Sequence, residues 1–268
     1  MKNTIRSPAV AGLFYPASPR ELTATLDALI AQARTDRAEA RPKALIVPHA
    51  GFVYSGPVAA TAYAAVAPWA AEIRRVVVIA PAHRVAVHGL VAAGAGALRT
   101  PLGDVPVDVE AIDRAGILND AAAHAKEHAV EVHLPFIQRF FPDAKVVPLL
   151  VGDAAPGEVG RALEALWGGD ETLIVVSSDL SHYLPYDEGR AVDADTAESI
   201  VSLGRGVALE RACGAAAING LLWVARHRKM RAELLDLRSS GDTAGRCDEV
   251  VGYGAFAFHE SEEAPHAR

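Results

Sequence analysis

The sequence predicts an α/β protein with a mostly parallel or mixed central sheet flanked by helices. Three apolar, β-branched runs carry that prediction, at residues 44–47, 76–80 and 173–176. Runs without polar alternation read as strands buried on both faces, as parallel strands are. Helical patterns fall between them, and strands alternating with helices place helices on both sides of one sheet. The third observation is how each run stops: at Pro48-His49, at Ala82-His83 and at Asp179-Leu180-Ser181-His182. In open α/β sheets ligands bind beyond the carboxyl ends of the strands, so all three stops fall where a site belongs.

In chain order, Ser18-Pro19-Arg20-Glu21 opens a helix. Serine caps the free amides, proline suits the first helical position, and an acid favours the first turn. The helix runs to about residue 33 with Leu22, Leu26, Leu29 and Ile30 on one face. Residues 50–57 read as a glycine-bounded turn, after which Pro57 opens an alanine-rich helix to about Val66. Residues 87–93 and 145–151 read as further strands, and 107–115 and 158–167 as helices. Residues 187–203 form a helix whose acidic first half suits the helix dipole. Residues 214–228 are helical, and 253–258 alternate as a late strand. Without repeats or a low-complexity linker, residues 1–260 read as a single domain and 261–268 as a disordered tail.

At 268 residues, with 51% hydrophobic and 22% charged side chains, the chain can bury a large core. Its net charge of -7 argues against a nucleic-acid partner, which needs a basic footprint. The N-terminal segment lacks the apolar core of a signal peptide, and no apolar stretch reaches membrane-spanning length without a charge or proline. The two cysteines, Cys213 and Cys247, form neither a disulfide framework nor a Cys-x-x-Cys pair. A cytoplasmic location, with no membrane partner, is therefore expected.

Singly, His49 and His83 are ordinary loop histidines; together they resemble two imidazole ligands brought from separate strand ends. Neutral imidazole suits Fe, Zn, Cu or Ni, so the pair does not select the metal. Asp179 and His182, three residues apart, suit a carboxylate orienting a general acid/base imidazole. The competing reading is a helix-capping aspartate beside an exposed histidine. Ser177, Ser178 and Ser181 raise a serine hydrolase, but no Gly-x-Ser-x-Gly elbow accompanies them. Cys213 precedes a helix, where a thiol tends toward thiolate, although a lone cysteine is more often a small buried hydrophobe. On one helix His124, His128 and Glu131 would share a face. Glu127, His128, Glu131 and His133 read as a polar wall contacting substrate or hydrogen-bonding the site residues.

The order Pro48-His49-Ala50-Gly51, Pro81-Ala82-His83, Glu127-His128-Ala129-Val130-Glu131-Val132-His133-Leu134-Pro135, Ser177-Ser178-Asp179-Leu180-Ser181-His182 and Cys213-Gly214 resembles the Memo family. Its bacterial and archaeal members are called AmmeMemoRadiSam system protein B. Pro8 to Pro16 and Gly252-Tyr253-Gly254-Ala255 fit as well, so the resemblance spans nearly the whole chain.

The resemblance implies a fold like that of class III extradiol dioxygenases. It implies a metal site, with Fe(II) the favoured ion and Cu or Zn as alternatives. Carried over residue by residue, it makes His49, His83 and Cys213 the ligands and places Asp179 and His182 in the same pocket. His182 matches the acid/base histidine. Those dioxygenases use two histidines and a carboxylate, whereas here a thiolate takes the third place, with Glu127, Glu131 and Glu249 as alternative carboxylates. Three functions follow as expectations. The first is a non-haem metal-dependent oxidoreductase acting on a small aromatic or redox-active molecule. The second is a metal or redox accessory to a radical-SAM partner. The third is a peptide-binding module using the old cleft, which Phe14, Tyr15 and Tyr54 would line.

Overall fold

The computed structural model describes residues 4–34 and 40–261. The predicted tail therefore lies, but for its first residue, outside the described residues. In chain order the strands are β1 (Ile5–Arg6), β2 (Ala44–Val47), β3 (Arg75–Pro81), β4 (Leu90–Ala92), β5 (Ala97–Thr100) and β6 (Gly103–Pro106). They continue with β7 (Leu118–Asn119), β8 (Lys145–Val151), β9 (Thr172–Ser177), β10 (His182–Leu184), β11 (Arg231–Ser239) and β12 (Val250–His259). The helices are α1 (Pro19–Ala31), α2 (Phe52–Ala64), α3 (Val109–Arg114), α4 (Ala121–Ala125), α5 (Leu134–Phe140), α6 (Pro156–Ala165), α7 (Tyr186–Val201), α8 (Ala215–His227) and α9 (Ser240–Thr243).

The main sheet runs β10-β12-β2-β9-β3-β8-β4-β7, with β11 pairing β12. Its centre, β2-β9-β3-β8, is parallel, as the three apolar runs predict. Every residue of β2 and β9 is buried, which accounts for the missing polar alternation. The flanks turn antiparallel: β12 against β2 on one side and β4 against β8 on the other. The sheet is thus mixed. A small second sheet, β1-β5-β6, lies apart from it.

Helix α1 starts as its residues dictate. The Ser18 side chain accepts from the Glu21 amide, Pro19 follows, and Leu22 and Leu26 are fully buried. Helix α2 corrects the expected turn. It begins at Phe52, and Pro57 lies inside it. The Phe52 amide is held by the Phe14 carbonyl at 2.7 Å, and the Gly51 carbonyl takes the Tyr54 and Ser55 amides. The chain is thus committed to helix five residues before the proline, which merely lacks the amide that would reach Val53. Residues 124–133 do not form the single helix that would put His124, His128 and Glu131 on one face. Helix α4 stops at Ala125, and a turn and a short 3-10 segment, Glu131–His133, follow. No helix among the described residues is long and apolar enough to cross a membrane.

Candidate metal centre

The three adjacent parallel strands β2, β9 and β3 end on one edge of the sheet. Two residues beyond their last positions stand His49, Asp179 and His83 respectively. Strand order therefore places Asp179 between the two histidines. The turn after α4 supplies a third imidazole. One ring nitrogen each from His49, His83 and His128 lie within 4.8 Å of one another. The ring centroids of His49 are 5.2 Å from His83 and 5.4 Å from His128, and those of His83 and His128 are 4.8 Å apart. They open into a cleft of about 560 Å³ that Phe14, Arg84, Asp179, His182, Leu209 and Cys213 also line.

The rings of His49 and His83 are held from behind. His83 Nδ1 lies 3.0 Å from Glu127 Oε1, and the His83 amide donates to Glu127 Oε2 at 2.6 Å. The same carboxylate accepts the amides of His128 and Ala129, and His128 Nδ1 stands 3.1 Å away. Burial works to raise the Glu127 pKa, but the hydrogen bonds from His128, from the His83 ring and from the His83 amide outweigh it and hold it well below the carboxylate range. Glu127 is therefore a fixed anion under two of the imidazoles. His49 is secured through Nδ1, 2.6 Å from Ser177 Oγ. Burial, and then the neighbouring His83, His128 and His133, push the His49 pKa well below its usual value. That ring is neutral, and so able to donate a lone pair.

Cys213 Sγ lies 3.3 Å from His49 Nε2. Two ligands of one tetrahedral ion stand roughly 3.3–3.6 Å apart, given metal–nitrogen and metal–sulfur bonds of about 2.0 and 2.3 Å. Gly214 makes the approach possible, since a Cβ there would meet the Ser177 carbonyl oxygen at 2.5 Å and Ser178 Cβ at 2.6 Å. The expected lowering of the thiol pKa is not found. Burial first, and the Asp179 charge second, push it up to about 12. Helix α8 starts only at Ala215, and the hydrogen bonds from Ser178 and Gly214 do not offset burial and the Asp179 charge.

Asp179 does not hold the His182 ring as expected. Its Oδ1 accepts the His49 amide at 2.8 Å, and burial raises its pKa. His182 Nδ1 instead meets the Leu180 carbonyl at 2.8 Å, which leaves Nε2 free on the cleft side. The contact is local: at the start of β10 the ring folds back two residues on its own chain rather than onto Asp179.

His49, His83, His128, Asp179, His182 and Cys213 therefore meet in one cleft. Glu127 backs it, and His133 reaches it only through Ser177. Glu131 does not line it. The Glu131 carboxylate is bound by the Arg6 guanidinium, the Ala9 and Val10 amides and the Tyr15 hydroxyl, because the 3-10 segment turns it toward the N-terminal chain. Tyr54, on the first turn of α2, also stands outside the lining. The sequence reading missed His128 as a third converging imidazole and Ser177 as its neighbour's support. The Glu127-His128 adjacency was a signal for the first, and the position of Ser177 as last residue of β9 for the second.

This geometry defines a class: an α/β protein with a histidine-built cleft, suited to a soft or borderline cation, at the carboxyl edge of its sheet. The chain belongs to the Memo-like protein family, whose model matches residues 6–257. It is similar to a MEMO1 family protein of Pyrobaculum arsenaticum, 35% identical over 95% of this chain and 99% of that one. A MEMO1 family protein of Archaeoglobus fulgidus is 35% identical over the same shares. One of Aquifex aeolicus is 33% identical, again over 95% and 99%.

Proposed function

We propose that this protein holds a divalent metal, Fe(II) by preference and Cu or Zn as alternatives, and acts on a small aromatic or redox-active molecule. The observation that supports it is the convergence of His49, His83 and His128 to within 4.8 Å. Two of these rings have Nδ1 engaged elsewhere, which leaves Nε2 to the cleft. In this reading His49 and His83 are ligands, His128 a third, and Cys213 joins beside His49. A bound iron would supply Lewis-acid and one-electron chemistry.

The chain's own residues do the rest. His182, anchored through Nδ1 on the Leu180 carbonyl, takes a proton from a substrate hydroxyl at Nε2. Phe14, Leu209 and Val251 give the cleft apolar walls that accept a ring and exclude water. Asp179 stays beside His49 and keeps its backbone in place. A second reading draws on Tyr183 and Leu209, 71% and 75% exposed at the mouth. There the cleft binds a peptide or a radical-SAM partner protein without turnover.

Anaerobic loading with Fe(II), followed by metal analysis, tests the centre. His49→Ala, His83→Ala and His128→Ala should each lose most of the iron, and Cys213→Ser should weaken retention. Full stoichiometric iron in all four variants would sink the assignment. Oxygen consumption with a panel of catechols then separates the readings. Uptake that His182→Ala abolishes supports catalysis, and tight iron with no uptake supports the binding role.

A further inference from the structure

Behind the cleft, four buried side chains from four distant segments form one hydrogen-bonded line. Tyr63 Oη lies 3.1 Å from His133 Nδ1, His133 Nε2 lies 2.9 Å from Ser177 Oγ, and Ser177 Oγ lies 2.6 Å from His49 Nδ1. Ser177 Oγ also stands 2.7 Å from the Ala129 carbonyl oxygen. None of the four side chains is appreciably exposed.

The protons in this line can be counted. A carbonyl only accepts, and two oxygens at 2.7 Å without a proton between them repel. The single Ser177 proton is therefore on the Ala129 side. Both imidazole nitrogens that meet Ser177 Oγ must then donate to it. His49 carries its proton on Nδ1, and His133 carries its proton on Nε2. His133 Nδ1 is left as an acceptor, and the Tyr63 hydroxyl fills it. Burial keeps that hydroxyl protonated and pushes the His133 pKa down to about 3, so neither end upsets the count.

We infer that Ser177, supported by His133 and Tyr63, is a positioning residue that fixes His49 as its Nδ1–H tautomer and so presents the Nε2 lone pair to the cleft. The inference rests on the metal-binding reading for its purpose, though not for its geometry. An imidazole free to change tautomer would offer a proton rather than a lone pair for part of the time. Ser177 is thus neither a hydrolase nucleophile nor a passive strand end. Its hydroxyl serves as a two-fold acceptor because the Ala129 carbonyl takes its proton.

The test begins without metal. Long-range proton–nitrogen NMR of the imidazole rings, with His49 assigned by its loss in His49→Gln, should show Nδ1 protonated and Nε2 bare. Ser177→Ala should produce a tautomer mixture at His49 and weaken Co(II) binding by about 10–100-fold, the usual cost of losing a ligand's supporting hydrogen bond. Tyr63→Phe should give a smaller change in the same direction. Ser177→Thr, which keeps the hydroxyl, should restore the tautomer. Should Ser177→Ala not fold, Ser177→Cys carries the same test, because a thiol keeps the small side chain but accepts hydrogen bonds only weakly. An Nε2-protonated His49 in the wild type, or an unchanged tautomer and affinity in Ser177→Ala, would overturn the inference. A wild type that shows the Nδ1–H tautomer but binds no Co(II) would instead overturn the metal reading alone.

Discussion

Glu127 and Glu131 stand four residues apart, both buried, each followed closely by a histidine, and they do opposite work. Glu127 gathers the His83 ring, the His83 amide and the amides of His128 and Ala129, so it organises the cleft. Glu131 gathers Arg6, the Ala9 and Val10 amides and the Tyr15 hydroxyl, so it fastens the N-terminal segment to the body. Their flanking histidines divide in the same way. His128 faces the cleft, while His124 is buried against the Val91 carbonyl and His133 among Tyr63 and Ser177. A buried carboxylate is thus not in itself a sign of a site. What decides is which donors it collects, and whether those donors have a second face left for a ligand.

The largest expected effect falls on the fastening residue. Glu131→Ala leaves Arg6, whose side chain is 10% exposed, without its counter-charge and orphans two amides and a hydroxyl. Breaking a buried pair in this way costs about 3–5 kcal/mol. Urea unfolding should show that loss, while the folded fraction retains its metal stoichiometry. A loss of metal with unchanged stability would reverse the division of labour.

The next effect is on pH. Burial chiefly holds His124 near a pKa of about 4 and His133 near about 3. In the unfolded chain both return to about 6.5. Below that value the unfolded chain takes up protons that the folded one refuses, so stability falls as pH drops through 6.5 toward the two folded values. Each residue should contribute roughly 2 kcal/mol of loss between pH 7 and pH 5. Urea titrations at the two pH values check this. His124→Gln should remove its share of the slope.

Glu127→Gln should give a functional rather than a structural effect. The amide keeps the shape but loses the fixed charge and one acceptor for the His83 and His128 donors. Metal affinity should fall by about 10–100-fold. Competition with a chelator measures it, and equal affinity in the variant would assign Glu127 to the scaffold beside Glu131. The smallest effect is at Tyr183, whose ring is 71% exposed and whose φ of 58° is unfavourable for a side chain. Tyr183→Gly should leave stability within about 1 kcal/mol of the parent, because relief of the left-handed strain offsets the added freedom of the unfolded chain.

The parallel centre of the sheet was legible because burial on both faces erases polar alternation, and β2, β3 and β9 show it. Strand β11 was not legible. Its buried and half-exposed residues come in pairs instead of alternating, the register shifts between Leu234 and Asp236, and charges are interspersed, so only its pairing with β12 reveals it. The start of α2 was hidden because Pro57 is a stronger local signal than the Phe14 carbonyl, which lies far off in sequence.

The sequence by itself determined the fold class and the edge of the sheet where the site stands. The buried apolar runs and their stops at His49, His83 and Asp179 are local consequences of residue type. Tertiary structure alone decided that His128 joins those two histidines, that Glu131 and Tyr54 stand outside the lining, and that Leu180 rather than Asp179 anchors His182. The physical reason is that these outcomes depend on side-chain direction across turns. A turn of a few residues can aim a side chain at either neighbour, and only the packed donors and acceptors around it select one.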